Sequence, residues 1–401
     1  MAPAKAYEAP VLLFRKIKHS LLMNLGLFLL KFVPGVSYMA FAGEGSSRSL
    51  GQHIAMRGLK KPLVVTDKPL LALGVVDKAL EGLREAGVEP VIYDGVLPDP
   101  TYSVVFEGKA EYQRQACDGL IAIGGGSSID AAKVIGLALS VSEHPRKFVG
   151  FGLVKEPIPP LYAMPTTAGT GSEATMGAVI SDDKTHEKGV ISGAPLQAIA
   201  VALDPLLMTG LPPHITAATG MDALTHAVEA YISSWDRGDA YDKAAQATRL
   251  IFANIESACR DGSNVQVRDA MAQAAYLAGQ AINQVNVGNV HAIAHQLGAR
   301  FGVPHGQANA MVMPHVLEFS KARAGDRLAA LGREVGCDSV ESFIAAIRQL
   351  NQTLDLPSTV KGLSESDYNA IIDGAIKEAD TYAVRHMMSR NDVRQVLKQL
   401  H

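Results

Sequence analysis

The stretch GLIAIGGGSSIDAAKVIG (residues 119–136) contains the signal that decides the fold. An apolar run typical of a buried strand leads into Gly124, Gly125 and Gly126, and a helical pattern follows directly. Glycines let backbone N–H groups approach a ligand closely, and a helix N-terminus carries unpaired donors and partial positive charge. The turn therefore predicts a pyrophosphate site, with Ser127 and Asp130 in the first helical turn.

A second loop supports this interpretation. The first motif departs from the ordinary dinucleotide fingerprint, because its third glycine position is Ile129, and a serine-capped structural turn stays open as an alternative. However, PTTAGTGSE (165–173) also follows a strand and offers the hydroxyls of Thr166, Thr167 and Thr170. Ligands of open α/β sheets bind at the carboxyl ends of the strands, so the two loops together predict a nucleotide cleft.

Outward from these loops, the chain divides near residue 205. Short β-rich runs alternate with helical patterns before it, at residues 61–67, 89–95, 119–126, 161–167 and 198–205. Amphipathic helical stretches follow it, at residues 240–260, 264–284, 325–335 and 365–379. We predict an apolar N-terminal extension (1–43), an α/β dinucleotide-binding domain with a mostly parallel sheet (44–205), and an all-helical metal and substrate domain (206–401).

Asp67 ends the first predicted strand of the α/β half. A carboxylate there can accept both ribose hydroxyls and repels a 2′-phosphate, which favours NAD over NADP. An aspartate at a strand end is also a common turn former, and this alternative stays open.

Composition excludes several classes of protein. The formal net charge is −3, from 37 Lys+Arg and 40 Asp+Glu, and no run of like charges indicates nucleic-acid binding. Cys117, Cys259 and Cys337 are odd in number and far apart, so neither a disulfide framework nor a C-x-x-C metal pair is predicted, and a reducing cytoplasm fits best.

The N-terminal segment is unusually apolar. A basic cluster (Arg15, Lys16, Lys18) precedes an apolar run from Leu21 to Leu30. The run is too short to span a bilayer, and Lys31 and Pro34 disfavour a signal peptide. We expect a helix that packs on a protein surface, in a homodimer or higher homo-oligomer, with peripheral membrane contact through residues 11–42 as the alternative.

Candidate metal ligands lie in the helical half. In GMDALTHAVEAYISS (220–234), Asp222, His226 and Glu229 fall on one helical face, and a carboxylate and an imidazole one turn apart can bind one cation. A solvated Asp–His pair is the alternative for this stretch alone.

Three more histidines lie in VHAIAHQLGARFGVPHG (290–306). His291 and His295 are one helical turn apart, and His305 stands between Pro304 and Gly306, where it can reach back to the same point. The spacing gives one candidate histidine more than a four-ligand metal site needs. Histidines that are buried in the core and hydrogen-bonded there stay an alternative. One Asp with three His suits Fe(II) or Zn(II).

The motifs together resemble those of the iron-containing (group III) alcohol dehydrogenases. IGGGSSID, PTTAGTGSE, GMDALTHAVEAY, VHAIAHQLG and PHG occur in this order, and the similarity covers roughly residues 44–400. The resemblance implies NAD(P)-linked oxidation of alcohols, with metal ligands at Asp222, His226, His291 and His305. It also implies a second, non-ligand active-site histidine at His295.

The resemblance assigns the cofactor residues as well. They comprise Gly124, Gly125, Gly126, Ser127, Thr166, Thr167, Thr170 and the cofactor-side lysine, Lys188, while Asp67 matches the acidic residue that accompanies NAD use. The N-terminal extension is longer and more apolar than the family pattern.

These observations predict reversible hydride transfer between NAD and a primary alcohol or aldehyde bound to the metal. His295 is the candidate for relaying the alcohol proton, and its alternative is a purely orienting role. Other candidate functions are an NAD- and metal-dependent lyase or synthase like dehydroquinate synthase, a polyol or hydroxy-acid dehydrogenase, and a metal hydrolase without NAD.

Overall fold

The N-terminal half is built on a six-stranded parallel sheet. The computed structural model describes residues 3–30, 39–185 and 187–401, with side chains from residue 12 to 28 in the first range. The sheet order is β1-β8-β5-β4-β2-β3. Its strands are β1 (Ala40–Ala42), β2 (Leu63–Val65), β3 (Val91–Tyr93), β4 (Leu120–Gly124), β5 (Leu161–Pro165) and β8 (Ala200–Leu203).

The predicted fold class is confirmed. β4 and β5 are buried along their whole length, as expected for parallel strands whose two faces are both covered by helices. β1 pairs with β8 in parallel, although it lies within the segment assigned to the N-terminal extension. A strand of three residues is too short to produce a periodic signal in the sequence.

Helices and one hairpin complete this half. The helices are α2 (Ser46–Met56), α3 (Lys68–Ala72), α4 (Val75–Ala79), α5 (Glu81–Glu85), α6 (Tyr102–Arg114) and α7 (Gly126–Ser140). The antiparallel hairpin β6 (Gly177–Ser181) and β7 (Lys188–Ser192) is separate from the main sheet. α7 is buried from residue 128 to residue 138 at every position except Asp130, and it packs against β4 and β5.

The second half is helical, as its amphipathic pattern predicts. Its helices are α8 (Pro213–Tyr231), α9 (Ala240–Arg260), α10 (Val265–Val285), α11 (Asn289–Phe301), α12 (His305–Arg333), α13 (Val340–Thr353), α14 (Tyr368–Ala379) and α15 (Arg390–Gln399). α8 packs against α9, α10 and α12 and is buried at nearly every position from Thr216 to Ala230. This central place makes α8 the support for the site described below.

The N-terminal extension forms a long helix, α1 (Pro3–Leu30). It packs on the helical half of its own chain, where Arg15 forms a two-point ion pair with Asp380 and His19 hydrogen-bonds the Tyr382 carbonyl. In the part of the chain that the structure describes, no helix has the length and apolarity needed to cross a bilayer.

Candidate active site

Four ligand atoms meet at one point in the helical half. They belong to Asp222, His226, His291 and His305 and all lie within 4.8 Å of one another. The Asp222 Oδ1 atom is 3.8, 3.7 and 3.3 Å from the Nε2 atoms of His226, His291 and His305, respectively. Three of the side chains are buried, whereas that of His305 is 34 % exposed and faces the cleft between the two halves.

Three helices supply these side chains. α8 carries Asp222 and His226 one turn apart, α11 carries His291 in its first turn, and α12 begins at His305. Gly306 has no positive φ, so its role is not to allow a left-handed backbone. A Cβ atom at Gly306 would lie 2.1 Å from the Ala218 carbonyl oxygen, and the missing side chain therefore lets α12 start directly against α8.

The charges around this point suit a cation. Burial lowers the pKa of His226 to about 3, so its imidazole is neutral and retains a lone pair. Burial opposes ionisation of Asp222, yet the neighbouring imidazoles hold its pKa well below the ordinary value. Burial also opposes protonation of His291, but the nearby Asp222 carboxylate and the hydrogen-bonded Glu229 carboxylate raise its pKa to about 9. The cluster thus stabilises an extra positive charge, which is what a bound metal ion supplies.

Asn309 gives a second indication of the polarity of the cluster. Its Nδ2 group donates to Asp222 Oδ1 at 2.7 Å and lies 3.2 Å from His291 Nε2 and 3.3 Å from His305 Nε2. One amide NH₂ group therefore lies next to a carboxylate oxygen and two ring nitrogens, which carry lone pairs whenever the imidazoles are neutral. A positive charge is favourable at such a point, so the residues present fit a divalent metal ion with nitrogen and oxygen ligands.

Glu229 orients one of these imidazoles. Its buried carboxylate accepts hydrogen bonds from the His291 Nδ1–H group at 2.6 Å, from Gly288 N at 2.8 Å and from Val290 N at 2.6 Å. The bond to Nδ1 fixes the tautomer that leaves Nε2 free for a metal. Its position on the face of Asp222 and His226 was visible in the sequence, but this contact was not.

His295 lies beside the cluster, and its ring stacks on that of His305 with centroids 5.1 Å apart. Its Nδ1–H group donates to Glu378 at 2.5 Å, and the Tyr382 hydroxyl donates to the same carboxylate oxygen at 2.5 Å. Burial lowers the pKa of His295, whereas these two donors outweigh burial and lower the pKa of Glu378. Sequence reasoning missed Glu378 and Tyr382, because nothing in their spacing relates them to His295.

The glycine turn lies between β4 and α7, as its pattern predicts. Gly124 has a φ of +154°, and a Cβ atom there would lie 2.3 Å from Ser128 Oγ. A Cβ atom at Gly126 would lie 2.7 Å from Thr170 Cγ2, and one at Gly125 would lie 3.4 Å from Thr167 Oγ1. The glycine turn and the threonine loop are therefore in direct contact at Gly125 and Gly126, where a side chain would fill the space between them.

Buried polar contacts fix the threonine loop. The Asp130 carboxylate accepts from Ser172 Oγ at 2.5 Å and from Val179 N at 2.9 Å. The Lys133 ammonium is fully buried and donates to oxygens of Ser172, Thr175 and Gly177. Burial lowers the pKa of Lys133 to about 8. Lys133 was also missed, since a lysine in a helix next to a turn usually faces solvent.

The remaining predicted cofactor residues divide into two groups. Gly126, Ser127, Asp130, Thr170 and Lys188 line one large cleft, and Lys188 also forms an ion pair with Asp99. Asp67, Gly124, Gly125, Thr166 and Thr167 are outside the set that lines this cleft. Asp67 caps α3 by accepting from Leu70 N at 2.9 Å through Oδ1, which is the turn-forming role that its sequence position left open.

The cleft has a volume of about 1460 Å³. It runs from the glycine and threonine loops of the α/β half to Asp222, His226, His291, His295 and His305 of the helical half. A nucleotide-type loop pair and a cluster of metal-type ligands in one cleft define the class: a two-domain, metal-dependent dehydrogenase.

The comparisons with known proteins identify the family. Residues 39–205 match the family model described as iron-containing alcohol dehydrogenase, and residues 216–401 match the C-terminal model of the Fe-containing alcohol dehydrogenase family. The chain belongs to this family and is a metal-dependent alcohol dehydrogenase. The resemblance seen in the sequence is thereby confirmed.

Individual relatives agree along most of the chain. The 1,3-propanediol dehydrogenase of Klebsiella pneumoniae is 40 % identical over 381 residues, which are 92 % of this chain and 97 % of the relative. The NAD-dependent methanol dehydrogenase of Bacillus methanolicus is 34 % identical over 377 residues, 92 % of this chain and 98 % of the relative. A crystal structure of 1,3-propanediol oxidoreductase superposes with a TM-score of 0.88 at 38 % identity, covering 92 % of this chain and 100 % of that chain.

Proposed function

We propose that this enzyme interconverts a primary alcohol and its aldehyde with NAD as the hydride carrier and a divalent metal bound by Asp222, His226, His291 and His305. One observation carries the proposal: these four ligand atoms lie within 4.8 Å of one another in the cleft that also holds the glycine and threonine loops. The name of the methanol dehydrogenase relative supports NAD. Fe(II) is the proposed metal, in line with the family, and Zn(II) suits the same ligands.

The cofactor is assigned to the loops at the carboxyl ends of the strands. Backbone N–H groups from Gly124 to Ser127 and the N-terminus of α7 would bind the pyrophosphate. Thr166, Thr167, Thr170 and Lys188 would complete the cradle. Asp130 acts by holding Ser172 of the threonine loop. The cap made by Asp67 uses Oδ1 only, so its second oxygen can accept a ribose hydroxyl.

The metal, when bound, supplies Lewis-acid polarisation of the C–O bond, and NAD supplies the hydride acceptor. The chain's own residues do the rest. Glu229 keeps the His291 ring in one tautomer, and the walls of the cleft would hold the alcohol carbon against the nicotinamide. The partly exposed side of His305 marks where substrate enters the ligand cluster.

His295 is the proposed group that moves the alcohol proton. Its Nδ1–H bond to Glu378 leaves Nε2 as a lone-pair acceptor, and its ring lies next to the ring of His305. The lowered pKa of His295 keeps this imidazole neutral and able to accept a proton. Glu378 and Tyr382 act as positioning residues, because Glu378 holds the His295 ring and Tyr382 holds the Glu378 carboxylate.

We place the enzyme in the cytoplasm, on the support of three cysteines that form no disulfide. A homodimer or higher homo-oligomer is also proposed. Within the described residues, β1 pairs with β8 on one side only, and a free strand edge favours association with a second copy.

The test combines metal analysis with alcohol oxidation. Protein purified without oxygen is assayed for bound iron and zinc, then mixed with NAD and a series of primary alcohols, diols and hydroxy acids while NADH absorbance is recorded. His291→Ala is expected to lose both the metal and turnover, because one of four ligands is missing.

His214→Ala is the matched control, since this exposed histidine lies on α8, the same helix as Asp222. It should keep metal and rate. Full metal content in His291→Ala would contradict the ligand assignment, and no NADH from any alcohol with metal bound would contradict the proposed reaction.

A further inference from the structure

α1 has an inner face that is fixed to the rest of the chain. The Arg15 guanidinium pairs with Asp380 at 2.6 and 3.1 Å, and His19 Nε2 is 2.7 Å from the Tyr382 carbonyl oxygen. Near the other end, Gly26 lies against the Trp235 ring, which an added Cβ atom would approach to 3.3 Å. These contacts hold α1 in one orientation over the mouth of the cleft, which it lines with Leu22, Met23 and Gly26.

The opposite face is an apolar stripe that solvent reaches. Phe14, Ile17, Leu21 and Leu25 are 69, 53, 67 and 55 % exposed. Their spacing of three, four and four residues places them along one side of the helix over about 17 Å. Leaving so many large apolar side chains in water is unfavourable, and a contiguous patch of this kind indicates a binding surface.

The charges next to this stripe select the partner. Lys16 and Lys18 are exposed on either side of Ile17, and no acidic residue occurs from residue 9 to residue 43. A second copy of residues 9–30 of α1 would therefore bring only further positive charge to the stripe. A negatively charged surface with an apolar interior complements it, and anionic lipid bilayers have both properties.

We propose that the outer face of α1, defined by Phe14, Ile17, Leu21 and Leu25 with Lys16 and Lys18, binds the surface of an anionic lipid bilayer. α1 would lie in the headgroup region, while its inner face stays docked on the enzyme. Of the wider segment 11–42 considered from the sequence, residues 31–38 lie outside the described residues. The proposal does not depend on the metal or on the reaction.

Vesicle flotation with the full-length protein tests this surface. We expect wild-type protein to float with phosphatidylcholine vesicles that contain roughly 30 % phosphatidylserine, and to bind pure phosphatidylcholine far more weakly. The triple variant Ile17→Ser, Leu21→Ser, Leu25→Ser should lose at least tenfold in vesicle affinity, because it removes the side chains that enter the bilayer. A triple variant that binds as wild type would overturn the proposal.

A matched triple variant controls for general loss of surface apolarity. Met56, Leu73 and Leu97 are 78, 73 and 61 % exposed and far from α1 in sequence, so changing each to Ser should leave flotation unchanged. Both triple variants should keep the wild-type rate of alcohol oxidation without vesicles, which shows that they fold. Equal loss of flotation in the control would overturn the assignment to α1.

The charge requirement is tested separately. Lys16→Gln with Lys18→Gln should weaken binding to anionic vesicles by about fivefold per lysine and leave binding to neutral vesicles unchanged. Lys68→Gln with Lys78→Gln, at two other exposed lysines, is the control. If wild-type protein ignores vesicles and the α1 triple variant instead halves the molecular mass in solution, the stripe binds a second copy and the membrane proposal is refuted.

Discussion

Glu229→Gln is the substitution whose effect follows most directly from the geometry. The Glu229 carboxylate accepts Val290 N on Oε1, and both Gly288 N and His291 Nδ1 on Oε2. Glutamine has the same shape but only one acceptor oxygen. In its best orientation that oxygen replaces Oε2, and the new NH₂ group then points at the Val290 N–H group.

The magnitude follows from this count. One hydrogen bond to a charged acceptor is lost and two donors are forced together in a buried place, so the free energy of unfolding should fall by about 2 to 3 kcal/mol. The two bonds that remain are weaker, because the carboxylate charge is gone. The His291 ring is then less firmly oriented, and metal affinity should fall by about 10- to 100-fold.

Two measurements separate these effects. Chelator competition gives the metal dissociation constant, and denaturant unfolding with excess chelator gives the stability of the metal-free chain. Glu89→Gln, at an exposed glutamate in the α/β half, is the control and should change neither. If Glu229→Gln binds metal as tightly as wild type and unfolds at the same denaturant concentration, the orienting role of Glu229 is wrong.

Two further predictions concern a close contact and a buried acid. Gly306→Ala should lower the free energy of unfolding by about 1 to 3 kcal/mol, because its Cβ atom would meet the Ala218 carbonyl. Gly325→Ala in the same helix is the control, since a Cβ atom there has open space and should not destabilise the protein. Equal denaturant midpoints for the two variants would contradict this reasoning. Burial raises the pKa of Glu173 to about 7 from an ordinary 4.5. The folded state therefore keeps a proton that the unfolded chain releases between these values, and wild-type stability falls as pH rises through that window. Glu173→Gln has no such proton to lose, so its free energy of unfolding relative to wild type should rise by up to about 1.4 kcal/mol per pH unit from about pH 5 to about pH 7. If the free energies of unfolding of the two proteins change in parallel with pH, the prediction is wrong.

The main sheet was predictable because its strands are continuous apolar runs with turn signals after them. All five apolar runs recognised in the sequence form strands, namely β2, β3, β4, β5 and β8. β1 was hidden, since Ala40–Ala42 gains its strand character only from pairing with β8. The β6–β7 hairpin was also missed, because its residues lack strict alternation of polar and apolar types.

The candidate site was predictable as far as local spacing reaches. Asp222 and His226, one turn apart, and the pair His291 and His295 are signals within single helices. Spacing did not distinguish His295 from the ligand candidates, because the distinction depends on Glu378, which lies 83 residues further along the chain. Asn309 lies one helical turn after His305, so it had the same kind of spacing signal. Its amide side chain, however, gave no reason to select it as a site residue.

The proposed ligand set spans three helices, and this has a consequence for how the enzyme would assemble. The donors of α8, α11 and α12 are brought together only by packing, so the unfolded chain offers an ion no comparable site. Binding of a metal ion at that point would therefore stabilise the native state and leave the unfolded chain almost unaffected. If the proposed ligands are correct, a chelator should lower the stability of the helical half, and a chain made without metal ions should fold less completely there.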